Sequence, residues 1–314
     1  MSVVFLGTSE FAAAILERLA RSDAHRPALV LTRPDRPSGR GRKLSSPPVA
    51  ERARALGITL EQPQSVNGPD ARELIARAGD PHSPSAGVAA RQTVIVCAFG
   101  ALIKEPLLSE HEILNVHPSL LPRWRGAAPV ERAIMAGDVE SGVSIMRLTA
   151  GLDSGPVCLA ATEAIDPQET YGSLTARLQE LGGELLVRAL EEKPPFVEQV
   201  EDGVTYAEKI DSADRLLDPS KPALELERVV RALHPHIGAR VELPDDTLLG
   251  VHRAALADAE ITTGGGELGV AARDGRLLLD CTPGVLELLV VQPPGGRAMD
   301  ASAYLRGHGA PGRR

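Results

Sequence analysis

Apolar positions in the first two thirds of the chain alternate between two patterns. Short runs of aliphatic and β-branched side chains predict strands at residues 3–6, 28–32, 94–98, 143–148 and 157–162. Apolar residues at helical spacing predict helices at residues 11–21, 49–56, 71–78 and 170–190. Strands and helices that alternate in this way predict an α/β fold with a doubly wound, Rossmann-like parallel sheet.

The pattern changes after a proline pair at residues 194–195 and a polar stretch at residues 196–211. A helix is predicted at residues 223–233, followed by strands at residues 239–243, 247–254, 269–272, 276–279 and 285–291. Short strands separated by turn signals such as Asp274-Gly275 predict a small, OB-like antiparallel β-barrel. We therefore expect a catalytic domain at residues 1–195, a linker at 196–211 and a β-barrel domain at 212–314.

One glycine run matches the spacing of a dinucleotide-binding motif but lacks its structural context. Gly264, Gly266 and Gly269 match the spacing GxGxxG of dinucleotide sites. A dinucleotide site needs a helix directly after the glycines, whereas strands are predicted on both sides of this run. We therefore expect no dinucleotide cofactor here.

Composition narrows the class of protein further. With 314 residues, 43% hydrophobic and 24% charged, the chain is expected to be globular, and no apolar run is long enough to span a bilayer. It starts directly with a predicted strand, so we expect a cytoplasmic protein without a membrane partner. The three cysteines form no CxxC pair, so no metal site is expected. The sequence does not determine the oligomeric state, and a monomer is the default expectation.

The net charge of −8 argues against a protein that coats nucleic acid indiscriminately. A local excess of positive charge nevertheless occurs in residues 33–43, which also contain proline and glycine. Its basic residues are Arg33, Arg36, Arg40, Arg42 and Lys43. A segment of this kind is usually a solvated loop, but it can also contact phosphate groups.

The densest cluster of polar residues within an apolar context begins at Asn115. Side chains repeat every two residues in an extended segment, so Asn115 and His117 lie on one face. Asp153 follows in a glycine-flanked loop just before a predicted strand. Amide and imidazole groups can donate hydrogen bonds to an oxyanion, and a carboxylate can orient the imidazole or relay protons. These residue types suit a reaction in which negative charge develops on an oxygen and a proton is transferred.

The motifs Asn-x-His and Ser-Leu-Leu-Pro-x-x-x-Gly and the later Asp153 resemble the formyltransferase family that uses 10-formyltetrahydrofolate. Residues 33–43, the run Arg-Trp-Arg-Gly-Ala-Ala-Pro at 123–129 and Thr-Tyr-Ala-Glu-Lys at 205–209 resemble its methionyl-tRNA branch in particular. The resemblance extends over nearly the whole chain. Departures from the family pattern are Phe99 in place of tyrosine, the loop near residues 81–90, and residues 216–218.

The resemblance implies transfer of a formyl group to methionine on initiator tRNA, without a metal. It implies that Asn115, His117 and Asp153 are catalytic, and that residues 33–43 bind tRNA through the basic residues named above. It also implies folate contacts, which involve Cys97, Ala98, Phe99, Gly100, Leu102, Ser119, Leu120, Leu121 and Pro122.

Three other functions are compatible with parts of the same sequence. A Ser-His-Asp hydrolase using Ser119 lacks the GxSxG motif of the nucleophile elbow. A related formyltransferase acting on glycinamide ribonucleotide or an amino sugar nucleotide would use the same Asn, His and Asp residues, but would not need the basic segment or the β-barrel domain. A non-catalytic nucleic-acid-binding protein conflicts with the net acidity and the catalytic set.

Overall fold

The structure is a computed structural model that describes residues 2–38, 43–78, 92–258 and 268–311. Arg40, Arg42, the loop expected at residues 80–91 and two glycines of the GxGxxG run, Gly264 and Gly266, lie outside the described residues. Contacts group the chain into two units, which we describe separately. The first unit consists of Met1–Ala127, Glu140–Ala164 and Thr175–Ala207, and the second of Ala128–Val139, Ile165–Leu174 and Glu208–Arg314.

Strands supply the framework of the first unit. They are β1 (Val3–Gly7), β2 (Pro27–Leu31), β3 (Arg36–Ser38), β4 (Lys43–Ser45), β5 (Thr59–Glu61), β6 (Thr93–Cys97), β7 (Glu112–His117), β8 (Arg125–Gly126), β9 (Glu140–Arg147), β10 (Val157–Ala164) and β11 (Tyr206–Ala207). The main sheet has the order β10-β9-β7-β6-β1-β2-β5. From β7 to β5 all neighbours are parallel, whereas β9 runs antiparallel to both β7 and β10. The sheet is therefore doubly wound with an antiparallel edge.

The helices of residues 1–192 follow the expected order with short additions. They are α1 (Glu10–Ala20), α2 (Pro48–Ala55), α3 (Pro69–Arg77), α4 (Leu107–Glu110), α5 (Pro129–Ala136) and α6 (Tyr171–Glu192). α1 begins after Ser9, whose side chain accepts a hydrogen bond from the Ala12 amide, as an N-cap does. Its buried face includes Ile15, Leu16 and Leu19. β1 and β6 are buried along their whole length, because helices cover both faces of a parallel sheet.

Loops at the carboxyl ends of the parallel strands lie along one edge of the sheet. The Thr8 hydroxyl, after β1, donates to the Phe99 carbonyl after β6 at 2.8 Å. The Arg33 side chain, after β2, donates to the Gly100 carbonyl at 2.7 Å. His117 ends β7 at the same edge. Open α/β sheets bind their ligands at this edge, so the fold brings the candidate chemistry to the usual place.

The stretch expected to be a linker is structured in its first part. Val197 forms an isolated antiparallel bridge with Val157, and β11 pairs with β8. Residues up to Ala207 are grouped with the first unit. The expected domain boundary at residue 195 therefore does not coincide with the end of the contacts made by the first unit.

The C-terminal part of the second unit contains mainly strands. Its elements are α7 (Ala223–Leu233), β12 (Ala239–Glu242), β13 (Leu248–Leu256), β14 (Gly269–Arg273), β15 (Arg276–Asp280), β16 (Val285–Gln292), β17 (Met299–Asp300) and α8 (Ala301–His308). The antiparallel order is β12-β13-β16-β15-β14, with β17 pairing to β16. The two outer strands, β12 and β14, approach each other, so the sheet curls into a half-barrel. Its core includes Leu226, Val230 and Leu286.

The turn between β14 and β15 confirms one local prediction. Asp274 and Gly275 both have positive φ, 51° and 76°, as the two central residues of a type I′ hairpin turn require. Gly269 begins β14, so the described end of the glycine run leads into a strand and not into a helix. The context required of a dinucleotide site is missing there.

Candidate active site at the ends of the parallel strands

β7 carries two polar side chains in an otherwise apolar strand. Asn115 pairs with Val96 on one side and Met146 on the other, and His117 pairs with Ser144. Asn115 is 8% exposed and His117 is 4% exposed. Since alternate side chains share a face, both point to the same side of the sheet, as the sequence predicted. Burial of two polar side chains is costly unless each of them is hydrogen-bonded.

Asp153 reaches these two residues from the loop between β9 and β10. Its Oδ1 accepts a hydrogen bond of 3.4 Å from Asn115 Nδ2, and its Oδ2 lies 3.8 Å from His117 Nδ1. Its side chain is 14% exposed. The structure thus brings together the three residues that were expected to be catalytic.

The hydrogen bonding of His117 restricts its protonation. Nε2 lies 2.9 Å from the carbonyl oxygen of Trp124. A carbonyl only accepts, so Nε2 must carry a proton for this hydrogen bond to form. Nδ1 is then the nitrogen that can gain or lose a proton, and it is the one that faces Asp153. The Trp124 carbonyl therefore selects one tautomer of the neutral ring.

Gly126 gives the Asp153 carboxylate its shortest hydrogen bond. The Gly126 amide donates to Asp153 Oδ2 at 2.9 Å. Gly126 has φ of 126°, and a Cβ at this position would lie 2.6 Å from the Ala207 carbonyl oxygen. Only glycine fits such a backbone approach, which explains the glycine of the Arg-Trp-Arg-Gly run.

Three residues other than glycine adopt left-handed conformations around this edge of the sheet. They are Ala98 with φ of 40°, Trp124 with φ of 62° and Asp153 with φ of 44°. Each such conformation costs on the order of 1–3 kcal/mol and persists only where the surroundings impose it. Their concentration at one edge supports the assignment of a functional site there.

Ser119 is engaged within the turn that follows β7. Its hydroxyl donates to the Arg123 carbonyl at 2.7 Å, and its own carbonyl accepts from the Ser144 hydroxyl at 2.8 Å. The Leu121 amide donates to the same Ser144 hydroxyl. Ser119 is fully buried. These contacts give the Ser119 hydroxyl a structural role. Leu120, Leu121 and Pro122 lie in the same turn.

The segment after β6 offers mainly backbone and aromatic surface. Cys97 is fully buried, and burial raises the pKa of its thiol well above the usual value, so this thiol stays neutral. Phe99 is buried at 5% exposure, whereas Leu102 is exposed. Ala98 and Gly100 have positive φ, which turns the chain sharply at the end of the strand.

A cavity of about 280 Å³ opens beside this segment. Phe99 and Ala101 line it together with Arg33, Arg36 and residues 63–67. It lies at the carboxyl ends of β2, β5 and β6, and neither Asn115 nor His117 is part of its wall. The cavity therefore connects the expected folate-contacting segment to the base of the basic segment.

The base of the basic segment is held by a hydrogen-bond network around Asp35. The Asp35 carboxylate accepts from Gln62 Nε2 at 2.8 Å and from the Ser46 hydroxyl at 3.0 Å. These hydrogen bonds lower the pKa of Asp35, Gln62 being the larger cause. β3 and β4 pair as a short hairpin, in which Lys43 begins β4. The structure thus places Arg33 and Arg36 next to the cavity, while Arg40 and Arg42 are outside the described residues.

Two general properties of the described residues concern metals and membranes. No group of three or more His, Cys, Asp or Glu side chains is arranged there to hold a metal ion. No helix within the described ranges is both long enough and apolar enough to cross a membrane.

Family models match both parts of the chain. The model "Formyl transferase" matches residues 1–190, and "Formyl transferase, C-terminal domain" matches residues 209–309. The methionyl-tRNA formyltransferase of Dinoroseobacter shibae is 39% identical over 317 residues, which cover 100% of this chain and 99% of that protein. The chain belongs to the methionyl-tRNA formyltransferase family. The chain is therefore a formyltransferase.

Two solved structures have the same fold. Methionyl-tRNA formyltransferase from Clostridium thermocellum superimposes with a TM-score of 0.58 at 12% identity, over 82% of this chain and 95% of that one. HypX from Aquifex aeolicus in complex with tetrahydrofolic acid gives a TM-score of 0.60 at 17% identity. The match to HypX covers 97% of this chain but 47% of HypX, so this formyltransferase chain spans about half its length. At these identities the two structures support the fold only.

Sequence reasoning missed two residues that shape the candidate site. Gln199 donates to the carbonyls of Asp153 and Gly155 at 2.9 and 2.7 Å. Thr205 accepts a hydrogen bond from the Trp124 amide at 2.9 Å. The resemblance to the methionyl-tRNA branch included Thr205 but assigned it no role, and no local pattern distinguished Gln199.

Proposed function

We propose that this protein transfers the formyl group of 10-formyltetrahydrofolate to the amino group of methionine on initiator tRNA. The product is N-formylmethionyl-tRNA, which serves translation initiation. The observation that carries the proposal is the grouping of Asn115, His117 and Asp153 at the carboxyl edge of the sheet. Membership of the methionyl-tRNA formyltransferase family supports the choice of acceptor.

The reaction requires hydrogen-bond donors that point at the oxygen of the formyl group. Attack by the methionine amine forms a C–N bond and places negative charge on the formyl oxygen. Asn115 Nδ2 has two N–H groups, and one is directed at Asp153 Oδ1. The other is available for the oxygen. In our proposal Asn115 is therefore the amide donor to the oxyanion, and Asp153 orients it.

Proton movement is assigned to His117. The amine must lose a proton, and the folate nitrogen must gain one when its bond to the formyl carbon breaks. Because Nε2 is bonded to the Trp124 carbonyl, Nδ1 is the atom that holds or passes a proton. Asp153 lies 3.8 Å from Nδ1 and stabilises positive charge there. The Asp153 carboxylate attracts the His117 ring most strongly when the ring carries a positive charge.

Substrate binding is assigned to the surfaces around this centre. The folate contacts proposed are those of residues 97–100, Leu102 and residues 119–122. The thiol of Cys97 and the hydroxyl of Ser119 are excluded as direct partners by their burial. The basic residues of segment 33–43 are proposed to contact tRNA phosphates. Arg33 and Arg36 border the cavity beside Phe99, which supports a path from that segment to the site.

We also propose that the chain works in the cytoplasm. We propose that it is a monomer, since the residues assigned above complete the site within one chain. We propose a catalytic domain at residues 1–195, a connecting segment at 196–211 and a half-barrel domain at 212–314. The part of the connecting segment up to Ala207 contacts the catalytic domain. Light scattering after gel filtration tests the monomer. Limited proteolysis tests the boundaries.

The acceptor is tested by formylation assays with 10-formyltetrahydrofolate. We expect fast transfer to methionyl initiator tRNA and slow transfer to methionyl elongator tRNA. Glycinamide ribonucleotide and an amino sugar nucleotide should not be formylated. Comparable rates with either small acceptor would contradict the proposal.

The catalytic assignments are tested by His117→Ala and Asn115→Ala. Loss of one oxyanion donor typically lowers kcat by about 10²- to 10³-fold, and tRNA affinity should hardly change because the lost interaction belongs to the transition state. His308→Ala removes an exposed histidine in α8 and is the control. A folded His117→Ala variant with native turnover would remove His117 from the mechanism.

A further inference from the structure

The first part of the expected linker lies against the candidate site. We call residues 196–207 the strap. Val197 exchanges two backbone hydrogen bonds with Val157, at 2.8 and 2.9 Å. At its other end, β11 pairs with β8, and the Ala127 amide donates to the Ala207 carbonyl at 2.7 Å. The strap is therefore attached at both ends to elements of the first unit.

Gln199 connects two parts of the site through one amide group. Its Nε2 donates to the carbonyls of Asp153 and Gly155 at 2.9 and 2.7 Å. Its Oε1 accepts from Arg125 Nε at 3.0 Å. Each of these hydrogen bonds is made with the Asp153 loop or with the residue that follows Trp124. Gln199 thus holds the loop in place relative to the turn after β7.

Thr205 fixes the peptide groups on either side of Trp124. Its Oγ1 accepts from the Trp124 amide at 2.9 Å, and its carbonyl accepts from the Arg125 amide at 2.9 Å. Trp124 has φ of 62°, a conformation that is unfavourable without such support. The Trp124 carbonyl is the group to which His117 Nε2 donates. Thr205 therefore determines where the acceptor for His117 lies.

We propose that Thr205 and Gln199 are positioning residues for formyl transfer. Thr205 maintains the Nε2-protonated tautomer of His117 through Trp124, and Gln199 maintains the loop that carries Asp153. The proposal rests on the catalytic roles proposed above for His117 and Asp153. Neither strap residue contacts the reacting atoms, so both act through the residues that they hold.

The two side chains control different properties of the site. Without the Thr205 hydroxyl, the Trp124 amide has lost its acceptor, and the peptide between Arg123 and Trp124 can turn. The φ of Trp124 is then no longer held at 62°, and the Trp124 carbonyl, in the next peptide, shifts relative to His117. The Arg125 amide keeps its hydrogen bond to the Thr205 carbonyl, so the change stays local. Nε2 is then no longer distinguished from Nδ1 by a hydrogen bond. Without the Gln199 amide, two carbonyls of the Asp153 loop lose their donor, so the carboxylate moves relative to His117. A misplacement of about 1 Å can cost about 10²-fold in rate.

Thr205→Val tests the first role because valine keeps the shape of the side chain and removes only the hydroxyl. We expect kcat to fall by about 10- to 100-fold, with little change in KM for methionyl-tRNA or for 10-formyltetrahydrofolate. The pH profile of kcat should change, since the hydrogen bond that distinguishes the two ring nitrogens of His117 is lost. Thr205→Ser restores the hydroxyl and should recover most of kcat.

The matched control is Glu198→Ala, which removes an exposed side chain from the same strap. It should leave kcat, KM and the pH profile unchanged. Gln199→Ala should lower kcat without altering the tautomer of His117. Together the variants distinguish positioning from general damage to the strap.

Nitrogen-15 NMR of the imidazole rings measures the tautomer without any activity assay. The His117 signals are assigned by their absence from the spectrum of His117→Ala. We expect the Nε2-protonated form in the native protein and in Glu198→Ala, and a mixture of tautomers in Thr205→Val. A Thr205→Val protein with the native tautomer and native kcat overturns the proposal. So does a loss that appears only in KM, or one that Thr205→Ser does not recover.

The same measurements separate this inference from the proposed function. If His117→Ala retains full turnover, the proposed catalytic role of His117 fails, while the NMR spectrum of Thr205→Val still decides whether Thr205 selects its tautomer. If His117→Ala is inactive and Thr205→Val keeps native kcat with a changed tautomer, the catalytic role stands and the positioning role is overturned.

Discussion

Replacing Asp153 by asparagine removes one negative charge from the candidate site and keeps the size of the side chain. The asparagine oxygen can still accept the Gly126 amide, so the loop should keep its position. Its amide nitrogen would then face Asn115 Nδ2, where Asp153 now presents an acceptor. Two donors facing each other would turn the Asn115 amide away from its present orientation.

The distance from Asp153 Oδ2 to His117 Nδ1 sets the size of the effect. At 3.8 Å, a full positive charge on the ring would be stabilised by about 4 kcal/mol at an effective dielectric constant of ~20. Only part of this charge develops in the transition state, and the carboxylate is 14% exposed. We therefore expect a loss of about 2–3 kcal/mol, or about 30- to 150-fold in rate.

Single-turnover formylation with excess enzyme and saturating 10-formyltetrahydrofolate measures the chemical step directly. Asp202→Asn changes an exposed aspartate and is the control, with an expected rate equal to the native one. Thermal unfolding verifies that both variants are folded. A folded Asp153→Asn protein whose single-turnover rate is within about threefold of native would refute the role of the carboxylate charge, because loss of the Coulomb attraction should slow the step by about 30-fold or more.

Three further changes have expected outcomes. Gly126→Ala should lower the free energy of unfolding by about 1–3 kcal/mol and abolish most activity, because the new Cβ would lie 2.6 Å from the Ala207 carbonyl oxygen. Gly307→Ala is the control: a Cβ at Gly307 meets no atom within 4 Å, so neither stability nor activity should fall. Calorimetry measures the stability of both variants, and a rate assay measures their activity. Asp214→Asn should destabilise the protein by about 1–2 kcal/mol at pH 7, because Asp214 makes two hydrogen bonds of 2.8 Å with Arg132. Arg132 lowers the pKa of Asp214 below its usual value of 3.8, so this stabilisation is complete above that value and is lost as pH falls through the lower pKa. Urea unfolding at several pH values should show the difference between Asp214→Asn and native protein shrinking toward acid, and a constant difference would count against the pair. Replacing Arg40 and Arg42 together by alanine should raise KM for methionyl-tRNA and flatten its dependence on salt, with KM for folate unchanged. Rates at two salt concentrations measure this, and an unchanged salt slope would mean that the two arginines do not bind tRNA.

Local patterns in the sequence were sufficient for several features of the fold. Apolar runs predicted β1, β2 and β6, because a parallel strand is buried on both faces and excludes polar side chains. Alternation in an extended segment predicted that Asn115 and His117 share a face. Asp274 and Gly275 predicted a turn because few residues tolerate positive φ. Each of these patterns is visible in residues that are neighbours in the chain.

The tertiary structure decided what depends on residues distant in the chain. Pairing determines that β9 runs antiparallel between β7 and the edge strand β10, and nothing in its own residues indicates the direction. Ser119 looked like a residue available to a ligand, but its hydroxyl bonds within the turn. The stretch from residue 196 follows a proline pair and is rich in charged residues, a pattern that predicts a linker, and yet it pairs with β8 and Val157.

The same distinction applies within the candidate site. Residue types and motif order identified Asn115, His117 and Asp153, since the chemistry requires an amide, an imidazole and a carboxylate. Gln199 and Thr205 act through backbone groups of Asp153 and Trp124, which lie 46 and 81 residues away along the chain. A backbone carbonyl or amide is present at nearly every residue, so its role as a partner leaves no mark in the sequence. Only the folded chain shows which of them faces Gln199, Thr205 or His117.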